Sequence, residues 1–68
     1  MSYAYAQGLS VGKTDKSALY VQCRNGAVYR YNRQLTPAGI DELSESIRAA
    51  RWRVQLTGWT SVRPATKK

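Results

Sequence analysis

The chain contains no histidine, a single cysteine, Cys23, and only four acidic residues. Histidine is the commonest general base, so its absence removes the first candidate for proton transfer. So few carboxylates and one thiol do not make a metal-ligand set, and a lone cysteine excludes an internal disulfide. With no base to activate it, Cys23 reads as a small buried apolar residue rather than a nucleophile. These absences point away from an enzyme and toward a protein without metal or cofactor.

No apolar run reaches membrane-spanning length, and the opening MSYAYAQG lacks the basic start and continuous apolar segment of a signal peptide. A cytoplasmic location is expected. Acidic residues are scarce against eleven lysines and arginines, giving a net charge of +7 and a pI near 10.1. That balance suits an anionic partner, whether nucleic acid, an acidic protein surface or an anionic membrane. The membrane fits worst, because no helix joins a basic face to a broad apolar one. At 68 residues the chain forms one domain at most, with a modest core.

What the chain does have is a hairpin. Ala18 to Arg33, ALYVQCRNGAVYRYNR, places strand-forming runs on either side of Asn25-Gly26, a pair that tolerates positive φ. A two-residue loop would put Arg30 and Asn32 on the same face as Leu19, Val21, Cys23 and Val28. A three-residue loop, Arg24-Asn25-Gly26 with Gly26 left-handed, pairs Cys23 with Ala27. It gathers Leu19, Val21, Cys23, Ala27, Tyr29 and Tyr31 on one face and leaves Tyr20, Gln22, Arg24, Val28, Arg30 and Asn32 on the other. One dry and one wet face is what a small antiparallel sheet requires, so the three-residue loop is expected.

Residues 1–16 read as a flexible N-terminal arm, with Tyr3 and Tyr5 in a frayed strand or a disordered segment. Gly12-Lys13-Thr14 resembles the end of a phosphate-binding loop. The full motif needs a glycine five residues earlier, where Gln7 stands, so a linker is the better reading. After the hairpin, Thr36 caps a helix that Pro37 starts and that runs to about Ala50. Asp41 and Glu42 lie in its early turns, where negative charge complements the helix dipole. Ile40, Leu43, Ile47 and Ala50 form its apolar stripe. Arg51 to Thr57 alternates as a half-buried strand, with Trp52, Val54 and Leu56 on one side and Arg51, Arg53 and Gln55 on the other. Gly58 bends it, Trp59 to Arg63 continues it as an edge, and residues 65–68 form a basic tail.

The expected fold is α+β: a three-stranded antiparallel sheet with one helix packed on one face, in the order strand-strand-helix-strand, spanning residues 17–64. Its core comprises Leu19, Val21, Cys23, Tyr29, Tyr31, Ile40, Leu43, Ile47, Trp52, Val54 and Leu56. Asp41, Glu42 and Glu45 then lie on the outer side of the helix, while Arg24, Arg30, Arg51 and Arg53 share the open sheet face with Tyr20. Such arginines serve solubility and edge protection in many proteins. Beside an aromatic residue they also dock phosphates, as sheet platforms do when they bind single strands.

Several features recur together in one known family. They are the opening Met1-Ser2 with Leu9-Ser10-Val11 at matching distance, a lysine just before the first strand, the hairpin, and the acidic helix start Asp41-Glu42-Leu43. The alanine-rich helix end with Trp52, and Val62-Arg63-Pro64 before a short lysine-ended tail, complete the set. In these the chain resembles the small host RNA polymerase inhibitors of short-tailed phages that encode their own single-subunit polymerase. The resemblance implies a non-catalytic protein of the bacterial host cytoplasm. It would bind the jaw of the β′ subunit of RNA polymerase and act with the sigma factor's N-terminal region to block open-complex formation. Of the family's two functional arginines, one matches Arg63 and the other position holds Ser61; an acidic first-strand position holds Gln22. The expected partner surface is thus Arg63 with Arg24, Arg30, Arg51, Arg53 and Tyr20, on a monomer. The alternative expectation is a small basic nucleic-acid-binding regulator that uses the open sheet face.

Overall fold

A computed structural model of the chain describes residues 2–66; Met1 and the tail residues Lys67 and Lys68 lie outside them. The elements follow in the order β1 (Tyr3–Val11), β2 (Leu19–Cys23), β3 (Val28–Tyr31), α1 (Pro37–Ala49), β4 (Arg53–Gln55) and β5 (Trp59–Arg63).

The β2–β3 hairpin adopts the three-residue loop. The Cys23 amide donates to the Ala27 carbonyl at 2.8 Å, Tyr20 pairs with Arg30 and Val21 with Tyr29. Gly26 holds φ at +90°, and the Asn25 side-chain carbonyl accepts from the Ala27 amide at 3.1 Å. Leu19, Val21, Cys23 and Ala27 are buried, with Tyr29 and Tyr31 half-buried on the same face.

The sheet itself is not three-stranded. It has five antiparallel strands in the order β4-β1-β2-β3-β5, and this corrects the strand-strand-helix-strand expectation. The segment expected as a flexible arm forms β1, nine residues long and interior to the sheet, paired with β2 on one side and β4 on the other. The expected last strand and its edge continuation are two strands at opposite ends of the sheet, β5 pairing with β3. Four steps of chain join Gln55 to Trp59 and reach at most about 14 Å. Four flat inter-strand spacings would span about 19 Å. The sheet therefore curls into a half-barrel, with Gly58 at φ +87° in the turn that links its two edges. Tyr31 and Trp59 meet edge-to-face at 5.0 Å beside that turn.

Helix α1 covers the concave side. The Thr36 hydroxyl accepts from the Gly39 amide at 3.0 Å, and Pro37 occupies the first helical position. The first turn carries no acidic side chain; Asp41 and Glu42 fall in the second, which weakens the dipole argument for them. Ile40, Ser44 and Ile47 are the buried stripe, Leu43 is half-buried, and Ala50 is an exposed C-cap. The helix ends in a Schellman arrangement: the Trp52 amide donates to the Ile47 carbonyl at 2.8 Å and the Arg51 amide to the Arg48 carbonyl at 3.0 Å. Arg51 and Trp52 both take positive φ, 57° and 67°, so neither belongs to the strand expected to begin at Arg51.

The core gathers Ala6, Val21, Ile47 and Val54, with Leu9, Tyr29, Leu43, Trp52, Leu56 and Trp59 packed around them. Two of these, Ala6 and Leu9, come from β1, together with an inversion of what its alternation suggests. Its small residues face inward and its tyrosines outward. Ala6 is 2% exposed and its amide donates to the Trp52 carbonyl at 2.7 Å, so a small side chain there leaves room for Trp52 to pack on the core. A bulge at Gln7 shifts the register by one, which lets Leu9 return to the inner face opposite Val21.

Candidate functional site

With α1 inside the curl, the convex face of the sheet is open. The strand register determines what lies there. Tyr3 pairs with Gln55 and Tyr5 with Arg53, so both tyrosines stand on the convex side, 53% and 49% exposed. The Arg24 amide donates to the Tyr5 carbonyl at 3.1 Å, which carries the β1–β2 pairing one residue past the end of β2 and brings Arg24 beside Tyr5. The Arg24 guanidinium lies 5.8 Å from the Tyr5 ring centre and that of Arg53 lies 4.9 Å from the Tyr3 ring centre. Both distances are within cation–π range. Tyr5 thus sits between two arginines, Arg24 of the β2–β3 loop on one side and its pairing partner Arg53 of β4 on the other.

Further along the face, Tyr20 pairs with Ser10 on one side and Arg30 on the other. Arg30 reaches Asp15 at 3.8 Å, with both side chains solvent-accessible, and an ion pair that open contributes little stability. Arg63 pairs with Val28 across a bulge and borders, with Gly8 and Gln22, a shallow recess.

The loop between β1 and β2 is held by its own polar groups. The Asp15 carboxylate accepts from the Ser17 hydroxyl and from its amide at 3.0 Å, and the Asp15 carbonyl accepts from the Ala18 amide at 3.2 Å. The Ser17 hydroxyl first, then the Ser17 amide, hold the Asp15 carboxyl below its ordinary value against opposing desolvation, with the Arg30 charge the least of these influences. Cys23 is buried under this face, and desolvation pushes its thiol upward in pKa.

Of the six residues the sequence singles out, the structure places Arg24, Arg30, Arg53, Arg63 and Tyr20 on the convex face. Arg51 leaves it. That residue occupies the turn after α1, because the helix needs its Schellman bonds before the chain can enter β4. Tyr3 and Tyr5 join the face, and sequence reasoning did not include them; the signal was their alternation with Ala4 and Ala6. Asp41, Glu42 and Glu45 are exposed on the helix, across the molecule from this face. Among the described residues no helix is long and apolar enough to cross a membrane. No group of three histidine, cysteine or acidic side chains is placed to hold a metal among them either. The chain matches no family model, no curated protein and no solved structure.

Proposed function

We propose that the protein is a non-enzymatic binding module that holds single-stranded nucleic acid on the convex face of its sheet. The observation that carries this is the Arg53–Tyr3, Tyr5–Arg24 cluster: two half-exposed tyrosine rings on one strand, each with a guanidinium over it. Tyr3 and Tyr5 are two residues apart on an extended strand, about 7 Å, and their side chains lie on the same face of the sheet. Bases stack on such rings and arginines take the phosphates, an arrangement that tolerates any sequence. The acidic helix lies on the opposite side and does not repel a strand bound here.

Fluorescence anisotropy of a labelled oligothymidylate, titrated at several salt concentrations, tests this reading. With Arg24, Arg30, Arg53 and Arg63 each neutralising one phosphate, log K should fall against log salt with a slope of about −3. Replacing both Tyr3 and Tyr5 by alanine should weaken binding by about 2 kcal/mol or more. No salt-dependent binding to any single strand would refute it.

A second reading keeps the phage inhibitor of bacterial RNA polymerase. It is favoured by the position of Arg63, exposed near the end of the edge strand β5 with one side of that strand unpaired among the described elements. There the guanidinium is free to make paired, charge-assisted bonds to a carboxylate of the β′ jaw. A nuclease-treated pull-down from bacterial lysate separates the two readings, since capture of polymerase after nuclease treatment requires direct protein contact. Undiminished open-complex formation at high protein concentration would sink the inhibitor reading.

A further inference from the structure

We infer that the convex face includes a discrete slot for one nucleobase, walled by the Tyr20 ring and rimmed by Lys13 and Thr14. This inference rests on the single-strand reading above and specifies one position within it.

A groove of about 410 Å³ runs between the β1–β2 loop and the outer end of β5. Tyr20 forms one wall, Val28 and Val62 the other, and Ser10 and Gln22 the floor. Val62 is 54% exposed, so this wall is apolar surface left open to water. A planar ring inserted between Tyr20 and the two valines would cover it. The floor is polar and ordered: the Gln22 side-chain amide donates to the Ser10 hydroxyl oxygen at 2.6 Å. That geometry leaves the Ser10 hydroxyl hydrogen to donate to a ligand, while the Gln22 carbonyl oxygen lies toward Gly8 and the neighbouring recess. Base edges carry acceptors for such a donor.

The wall is built for its position. A side chain at Gly12 would run into the Asp15 carbonyl and would come within 3.3 Å of Tyr20 Cε1. Glycine therefore lets the loop close tightly and lets the Tyr20 ring lie against it. The same turn carries Lys13, Thr14 and Asp15 to the rim; the Asp15 carboxylate is engaged by Ser17 and Arg30, and the Lys13 ammonium and Thr14 hydroxyl are the groups offered to the phosphate attached to a seated base. Gly12-Lys13-Thr14, too incomplete for a nucleotide-binding loop, would serve here as a phosphate contact on a single strand. Arg63 borders the adjoining recess, which shares Gln22 and Val28 with this groove, so positive charge continues along the face.

The test uses the full chain and a short oligothymidylate bearing 5-iodouracil at successive positions, with photocrosslinking followed by peptide mass spectrometry and anisotropy in parallel. A crosslink at Tyr20, and affinity lowered about tenfold or more in Tyr20→Leu but retained in Tyr20→Phe, is expected. Lys13→Gln should weaken binding several-fold and make the salt slope shallower by somewhat less than one. If the strand binds and crosslinks only at Tyr3 or Tyr5, with Tyr20→Leu unchanged, the slot is overturned while the single-strand reading stands. If no single strand binds, both fall. Circular dichroism of Tyr20→Leu guards against loss of fold, and the crosslink to the unmutated chain does not depend on that variant.

Discussion

Replacing Arg51 by glycine should stabilise the protein while removing one of its positive charges. Arg51 is the residue just beyond the helix C-cap, at φ 57°, where a left-handed conformation closes the Schellman bonds from Trp52 to Ile47 and from Arg51 to Arg48. An L-residue with a side chain is strained there by about 1–2 kcal/mol, and glycine is not. Two effects oppose the gain. Glycine gives the unfolded chain more freedom, about 0.5–1 kcal/mol, and the lost cation near the helix C-terminus costs about 0.3 kcal/mol at an exposed site. The net expectation is a stabilisation of up to about 1 kcal/mol, or a rise in Tm of a few degrees for a domain this small. Urea unfolding followed by tryptophan fluorescence reads it directly, with an unchanged m-value required for the comparison. Arg51→Ala is the control: it loses the charge but keeps the strain, and should be about 1 kcal/mol less stable than the glycine variant. An alanine variant as stable as the glycine variant, or more so, would show that any strain at residue 51 is no larger than the entropy glycine costs, against the net gain expected here. Because Arg51 lies off the convex face, its glycine variant should bind a single strand nearly as well as the natural chain. Arg53→Gln should lose several-fold.

Val21 is fully buried at the centre of the core, so Val21→Ala should cost about 2–3 kcal/mol in chemical denaturation, and a loss well under 1 kcal/mol would contradict that packing. Thr36→Ala removes the acceptor for the Gly39 amide and should cost about 1 kcal/mol, with helix content reporting where the loss occurs. The Asp15 carboxyl is depressed in the folded protein, so its contribution to the loop is complete above about pH 3.9. That contribution is lost as pH falls through the lower folded value. NMR titration of that carboxyl should show the lowered midpoint, and Ser17→Ala should return it toward the ordinary range. Burial raises the Cys23 thiol pKa, so a thiol reagent at mildly alkaline pH should react slowly with the folded chain and rapidly in urea.

Local patterns were legible wherever neighbours in sequence are neighbours in space. Asn25-Gly26 and the apolar alternation around it determined the loop length and the pairing of Tyr20 with Arg30. Thr36-Pro37 determined where the helix starts. The count of charges determined the sign of the net charge. Tertiary structure alone decided the rest. Alternation in Tyr3-Ala4-Tyr5-Ala6 states that the two faces differ but not which is buried. Burial of Ala6 against Trp52, some 46 positions later, settled it and turned both tyrosines outward. The split of the last strand was equally hidden, because β4 and β5 are joined by a short turn yet pair with different partners, β1 and β3. Only the curl of the whole sheet lets one short connection reach from edge to edge. That curl results from the twist of all five strands together, and no local window of sequence contains it.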